Sequence, residues 1–424
     1  MLKLTRTQLT SRSALYAGAF GLSLIATTFA IFDLAGFAVL FLVLATAASV
    51  VLARYDNMFH MAWLSGHVVF CVVPSLICLV TGFAITYELP TLCTLMTVVA
   101  LAITDRPTPQ SLGGWQPRPA LFVYVAVIAT VVMVVTKGGS FLYTIATLVM
   151  MFGVTSRTAS RQIVVGLYLV LVGFVLAYTA TYWNGFGRLI VAGTLIIPTI
   201  VLCRKIGLPG GKYAILAAIS MVGLLGTIVR FREVTLDSIL RTSLIDSNSG
   251  PLLLGQSFVT RARIDGAVNV SDWFDQFMLL ALAAWPREWW SDKPRGFGAV
   301  WVAENLGPGF PNHSIASTFV GEHIYYLGLG YGSVASLAVV ALICWGYNAL
   351  GLSRYFLGLG GYLIAVHLPT FYWGGMASFA VRFWIGLVPL VVAFALFQIF
   401  RFSLAGRSPA IRTRRNTRLT IHGR

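Results

Sequence analysis

Apolar runs long enough to cross a lipid bilayer recur along most of this 424-residue chain, separated by short polar connections. A helix needs about 20 mostly apolar residues to span the hydrocarbon core, and the chain offers about twelve such windows. They lie near 13–32, 34–53, 62–84, 88–104, 119–136, 140–156, 162–182, 188–203, 213–229, 324–346, 355–372 and 378–400. The pattern predicts an all-α polytopic membrane protein.

Composition agrees with this class, because 58% hydrophobic and 10% charged residues leave too little polar surface to cover a soluble globule of this length. The five cysteines all fall in apolar segments, where they are typical of small core residues and not of a disulfide framework or metal cluster. The first apolar run also fits a signal peptide. Because a second run, 34–53, follows almost at once, we expect the first to be retained as a span.

Basic residues concentrate in alternate connections, as they do where short cytoplasmic loops collect Lys and Arg. With the N-terminus inside, most of the 30 basic residues fall on the inner side, whereas the short outer loops contain only Lys137 and Arg188. We therefore expect both termini in the cytoplasm. The net charge of +16 then reflects topology, and the basic tail 401–424 fits a segment beside anionic lipid better than a nucleic-acid site.

One connection is far longer than the others: residues 230–321 separate the predicted spans within 1–229 from those within 322–400. It holds most of the 14 acidic residues and a dense group of tryptophans. Connections longer than about 15 residues are usually functional or disordered, and this one is too rich in aromatic residues for disorder. We expect it to lie on the external, periplasmic side and to fold against the membrane, with a re-entrant or interfacial helix near 274–286, whose apolar run is too short to span.

Arginines, lysines and tryptophans gather at predicted membrane entry points of this segment and of the last span. Guanidinium groups bind phosphate oxygens bidentately, and tryptophan anchors at headgroup depth while offering a face to a sugar ring. Taken singly, each arginine also fits a residue that snorkels to lipid headgroups. As a group they indicate a site for an anionic, sugar-bearing lipid. The substrate-binding candidates are Arg230, Arg261, Arg263, Lys293, Arg382, Trp285 and Trp289.

Short motifs follow one another across the long segment. A Gly-x-Ser-aromatic element precedes a Trp-Pro and a Lys-Pro pair, and a Ser…Gly-Glu element leads into a span that opens with two glycines. The residues are Gly255, Ser257 and Phe258; Trp285 and Pro286; Lys293 and Pro294; Ser314, Gly321 and Glu322; and Gly328 with Gly330. In these motifs and in the long segment of its second half, the chain resembles bacterial O-antigen and exopolysaccharide repeat-unit polymerases of the Wzy type. The glycine spacing departs from the family pattern by one residue.

The resemblance implies a glycosyltransferase of the metal-independent, multi-span (GT-C-like) kind in the bacterial inner membrane. Such an enzyme joins undecaprenyl-diphosphate-linked oligosaccharide repeat units, as donor and acceptor, into a long surface polysaccharide at the periplasmic face. The resemblance implies that the enzyme needs no cofactor and binds no nucleic acid. The partners that it implies are membrane lipids, a chain-length regulator and a flippase. The sequence also contains no Asp-x-Asp metal motif, and Asp272 and Asp275, which share one helical face, are expected to be solvated.

Glycosyl transfer needs cations that stabilise the leaving diphosphate and a base for the attacking hydroxyl. His313 is the first catalytic candidate, because the stretch GPGFPNHS is loop-like and leaves its imidazole open to water. Glu322 is the second. A carboxylate at the start of a span is costly unless paired or hydrated, so we expect Glu322 to pair with an arginine or to share the proton transfer. His323 points elsewhere on the helix and is expected at the membrane interface.

Two other hypotheses compete with the polymerase. An O-antigen ligase has the same architecture and delivers the chain to the lipid A core, but the Lys-Pro and Gly-Glu elements favour the polymerase. A transporter or lipid flippase with about twelve spans usually shows internal repeats and midplane polar residues on discontinuous helices. Here the polar residues gather in one external segment, and the polymerase is therefore preferred.

Overall fold

The computed structural model describes residues 6–54, 57–82, 86–105, 160–181, 236–266, 268–285, 287–306, 315–351 and 358–405, with isolated positions between 195 and 207. Within these ranges the chain is helical and contains no strand, which confirms the all-α class for this part of the molecule. The spans predicted near 119–136, 140–156, 188–203 and 213–229 lie wholly or largely outside the described residues.

Local sequence signals set the helix ends. Asn57 begins the helix Met58–His67 by accepting hydrogen bonds from the amides of Phe59 and His60, and Gly82, in the left-handed conformation, ends the helix Val73–Thr81. The helices are α1 (Arg6–Ile31), α2 (Ala35–Leu52), α3 (Met58–His67), α4 (Val73–Thr81), α5 (Glu88–Ile103), α6 (Arg161–Thr181), α7 (Leu236–Asp265), α8 (Val270–Leu282), α9 (Phe297–Asn305), α10 (Thr318–Gly351) and α11 (Gly358–Ala405), with a π-helical turn, Val68–Val72, between α3 and α4.

Four helical stretches among the described residues are long and apolar enough to cross a bilayer. They are Ser11–Ile31, Ala35–Leu52, Met58–Thr81 and Thr318–Leu350. These stretches confirm a helical membrane protein. The total of about twelve spans stays a prediction.

The core lies where α3, α5, α10 and α11 meet, and aromatic rings fill it. Trp63 is fully buried, with ring contacts to Phe59, Phe319 and Tyr372. Its Nε1–H donates a 3.0 Å hydrogen bond to Thr97 Oγ1, which satisfies the one polar atom that burial would otherwise strand. Interlocking rings from several helices therefore fix the positions of these helices relative to one another.

Ion pairs mark the two ends of α5. Beyond its C-terminus, Arg12 and Arg54 reach the carboxylate of Asp105 at 3.0 and 3.4 Å. At its N-terminus, Glu88 pairs with Arg263 from the last turn of α7. The residues of the long segment that pack on α5 therefore lie at the Glu88 end of the bundle.

Three helices, α7, α8 and α9, occupy the described part of the long segment. The helix expected near 274–286 is α8, which begins at Val270 and ends at Leu282. It packs against α10 and α11, and Trp384 Nε1–H of α11 donates to the Leu280 carbonyl at 3.0 Å. Its re-entrant or interfacial position in the membrane stays a prediction.

Glycines allow α7 to cross α10 with their backbones in contact. A Cβ atom on Gly255 would lie 2.3 Å from the Ser317 carbonyl oxygen and 2.6 Å from Leu89 Cδ2. A Cβ atom on Gly321 would lie 2.8 Å from Gly255 Cα. Membrane helices use small residues for such close approaches. Gly255 thus positions α7 on the bundle.

Both α10 and α11 are broken at a glycine. Gly328 has φ 71° and ψ 178°, and Gly375 has φ 71° and ψ −159°, a region that side-chain-bearing residues rarely enter. Each break interrupts the ladder of backbone hydrogen bonds. Each long helix therefore consists of two half-helices, and the second half of α11 begins at the buried Met376.

We expect Gly255→Ala to destabilise the protein by about 1–3 kcal/mol or more, because the added methyl group overlaps a backbone oxygen that cannot rotate away. The matched control is Gly21→Ala in α1, where nothing lies within 4 Å of the new Cβ and the change should stay within about 1 kcal/mol. Thermal unfolding of detergent-purified variants measures the difference. Equal melting temperatures for the two variants would contradict the close crossing.

Candidate functional site

A cavity of about 240 Å³ opens where α7, α8, α9 and α10 converge. All four helices, and the connection between α7 and α8, contribute to its walls. Its lining residues are Phe258, Arg261, Ala262, Asp265, Gly266, Val268, Asn269, Asp272, Glu304, Ile324, Tyr325 and Tyr326. Of the residues predicted to bind substrate, only Arg261 is among them.

Asn269 shapes the floor of the cavity. Its side chain begins α8 by accepting a 3.1 Å hydrogen bond from the Asp272 amide, and its Nδ2–H donates to Asp272 Oδ2 at 2.7 Å. Its backbone N–H donates to the Tyr326 carbonyl at 2.6 Å. Tyr326 precedes the break at Gly328, so the α7–α8 connection is fastened to α10 at the point where α10 loses its own regular bonding.

The cavity wall combines carboxylates with aromatic rings. Tyr325 donates a 2.5 Å hydrogen bond to Glu304 Oε2, and Arg261 lies 3.7 Å from Asp265 on the same helix face. Phe258 packs on Tyr325, with ring centroids 4.9 Å apart. Carboxylates accept hydrogen bonds from hydroxyl and amino groups, and aromatic faces attract positively polarised C–H groups. This combination suits a small hydroxyl-rich ligand.

Glu322 does not line the cavity, lies one turn of α10 before Tyr326 and is fully buried. Its Oε2 accepts a 2.8 Å hydrogen bond from the N–H of Met376, the first amide after the break in α11. A Cβ atom on Gly375 would lie 1.6 Å from this oxygen, so only glycine leaves room for the carboxylate. Oε1 has no hydrogen-bond partner among the described residues.

The ion pair predicted for Glu322 is therefore corrected, because its one partner in the described part of the chain is a backbone amide at a half-helix N-terminus and not an arginine. Such a terminus carries partial positive charge and stabilises an anion without a cationic side chain. The prediction failed because the break at Gly375 is not visible in the hydropathy pattern.

His323 is buried and not interfacial, which corrects the second prediction for this turn of α10. Trp273 Nε1–H of α8 donates to its Nδ1 at 2.9 Å, so the proton of a neutral imidazole resides on Nε2. Within the described ranges Nε2 has no partner, and neither does the Tyr326 hydroxyl. Unpaired buried polar groups gather here in one turn of α10.

Two predicted substrate-binding arginines have structural partners. Arg263 pairs with Glu88, which also accepts a hydrogen bond from Thr86 at 3.3 Å. Arg382, on the second half of α11, donates to the Ser378 carbonyl at 2.7 Å, and its Nε has no partner among the residues described. Neither lines the cavity. Arg263 holds α7 to α5, and Arg382 keeps donor capacity for a ligand.

Lys293, Trp285 and Trp289 belong to the connection between α8 and α9. Lys293 Nζ donates to the carbonyls of Ala283 and Trp285 at 2.7 and 2.9 Å, which caps the end of α8. Burial and the neighbouring Arg287 lower the pKa of Lys293. Trp285 and Trp289 are 51% and 75% exposed. Lys293 therefore has a structural role, and the two exposed tryptophans do not line the cavity.

His313 and Arg230 lie outside the described residues. Four polar residues of the cavity wall were not predicted from the sequence: Asp265, Asn269, Glu304 and Tyr325. Asp272, which was expected on a solvated face, is half-buried and lines this open cavity. One signal of this region is present in the sequence. Asn269, three residues before Asp272 and just ahead of an apolar run, is typical of a helix start.

No protein-family model, no curated protein and no solved structure matches this chain.

We expect Gly375→Ala to destabilise the protein severely, because its Cβ overlaps Glu322 Oε2 and its φ is unfavourable for alanine. In a Glu322→Ala background the overlap disappears, and the remaining cost should fall to a backbone strain of about 1–3 kcal/mol. Thermal unfolding of the two single variants and the double variant measures this coupling. If the destabilisation of the double variant equalled the sum of the two single variants, the carboxylate would not occupy the break at Gly375.

Proposed function

We propose that this chain is a repeat-unit polymerase, a glycosyltransferase that joins undecaprenyl-diphosphate-linked oligosaccharides into a long polysaccharide at the periplasmic face of a bacterial inner membrane. The observation that carries the proposal is the cavity of carboxylates, amide and aromatic rings, set one turn of α10 from the buried carboxylate of Glu322. A sugar fits the cavity, and a lipid carrier fits the apolar helices beneath it. The motif resemblance supports the same chemistry.

The reaction moves a glycan chain from its carrier to a new acceptor. The acceptor hydroxyl attacks the anomeric carbon of the donor, the bond from that carbon to the diphosphate oxygen breaks, and undecaprenyl diphosphate leaves. The hydroxyl proton passes to a base, for which His313 and Glu322 are the candidates. Arg382, whose Nε has no partner among the described residues, is one cation that can stabilise the leaving diphosphate.

A transporter or flippase is the second candidate function, and the breaks at Gly328 and Gly375 favour it. Transport proteins build substrate sites from discontinuous helices whose inner N-termini face anionic groups. The two candidates differ in chemistry, because a transporter changes the side of the membrane on which a lipid-linked unit resides and forms no glycosidic bond. A flippase partner would perform that step for a polymerase.

The test in cells uses a deletion strain that carries plasmid copies of the gene. Wild-type protein should restore long chains, and stably expressed Glu322→Gln, which can still accept the Met376 hydrogen bond, should leave single repeat units. The expected loss of turnover is about 10²–10⁴-fold if Glu322 takes the proton. His313→Ala should have that effect if His313 is the base. Asp275→Asn, an exposed carboxylate of α8, is the matched control and should retain long chains.

The chain-length pattern separates the alternatives. Long chains from both Glu322→Gln and His313→Ala would contradict either residue as the base. Long lipid-linked chains in the deletion strain, with none attached to core, would instead indicate a ligase. Repeat units confined to the cytoplasmic leaflet would indicate a flippase.

A further inference from the structure

We infer that the cavity selects a neutral or amino-bearing sugar of the acceptor and excludes an acidic one. The inference rests on the proposed function, since it names the class of acceptor for that same site. Three features carry it: the charge of the wall, an unpaired hydroxyl within it, and the size of the space.

The charge of the wall is negative. Asp265, Asp272 and Glu304 face a single guanidinium, that of Arg261, which already lies 3.7 Å from Asp265. A carboxylate on the ligand would meet the anions Asp272 and Glu304 with no free cation nearby. These like charges would repel it. An ammonium group or hydroxyl hydrogens would meet acceptors instead. The wall therefore discriminates by charge.

Tyr326 supplies an unpaired group. Its side chain is 2% exposed, and its hydroxyl has no hydrogen-bond partner among the described residues. Asp272, Glu304 and Glu322 all act on this hydroxyl electrostatically, so it is close to both the cavity carboxylates and the buried one. A buried hydroxyl left without a partner is costly. Because Tyr326 lines the cavity, a movement of its ring toward a bound ligand would give the hydroxyl a partner in a ligand hydroxyl or amine.

The size of the cavity fits one sugar ring. Its volume of about 240 Å³ is below the range of roughly 300–1,000 Å³ that holds drug-sized ligands. Phe258 and Tyr325 stand beside the carboxylates and offer aromatic faces, which attract both polarised C–H groups and an ammonium ion. A single terminal sugar of the acceptor chain meets these conditions.

The experiment measures binding of three soluble disaccharides of matched size to the purified full-length protein in lipid nanodiscs. The probes are glucosamine disaccharide (cationic), N-acetylglucosamine disaccharide (neutral) and galacturonic acid disaccharide (anionic). At low salt we expect the cationic probe to bind more tightly than the anionic one by about tenfold or more, with the neutral probe between, and the difference to shrink at high salt. Calorimetry gives the dissociation constants.

Variants locate the effect in the cavity. Glu304→Gln, which keeps an acceptor for Tyr325, and Asp272→Asn should each reduce the cationic preference by several-fold. Tyr326→Phe should weaken the cationic and neutral probes alike. Asp275→Asn, on the same helix as Asp272 but outside the cavity, should leave the preference unchanged. If Asp275→Asn lowered the preference for the cationic probe as much as Asp272→Asn does, the preference would arise from the general surface charge. That result would overturn the cavity as the binding site.

Two results overturn the inference directly: equal or tighter binding of the anionic probe, or no binding of any probe. Either result leaves the polymerase proposal standing if the protein still extends chains in cells. Conversely, charge-selective binding by a protein that forms no glycosidic bond would refute the polymerase and retain the selective cavity.

Discussion

A single hydrogen bond, from the Met376 amide to the carboxylate of Glu322, joins the two broken helices on which the candidate site is built. Inside a membrane protein a carboxylate and an interrupted backbone are each costly, because no bulk water satisfies them. Here the N–H of Met376, left free by the break in α11, and the Glu322 carboxylate are hydrogen-bonded to each other. Gly375 makes the arrangement possible, since any side chain at that position would occupy the space of the Glu322 oxygen. This contact, together with the ring packing between Phe319 and the first half of α11, therefore sets how α10 and α11 meet at the site.

The cavity is separate from that contact, and its wall begins one turn further along α10 and continues over the helices of the long segment. Tyr326 follows Glu322 on α10, and its carbonyl fastens Asn269, whose side chain starts α8. His323 is held by Trp273 from the same helix. A buried carboxylate thus lies one turn from a polar wall. Under the proposed function, a lipid-carried diphosphate and a sugar acceptor would lie within reach of the same group of residues.

The sequence allowed the helices to be predicted because hydropathy is a local property. The windows 34–53 and 88–104 lie within a residue or two of α2 and α5. Contacts between distant residues could not be derived in this way. The arginine partner for Glu322 and the interfacial position of His323 were wrong, because Met376 and Trp273 lie far away along the chain. The place of Asp272 in the cavity could not be predicted for the same reason, because the cavity also requires α9 and α10. Gly328 was noticed in a motif, but not as a break.

The most direct test of the central claim is the stoichiometry of the reaction in vesicles that contain the purified protein and undecaprenyl-diphosphate-linked repeat units. A polymerase releases one molecule of undecaprenyl diphosphate for each glycosidic bond formed, and both products should be lost together in Glu322→Gln. Longer glycans with matching release of the lipid diphosphate are the predicted result. Movement of intact repeat units between leaflets, without bond formation or release, would contradict the account.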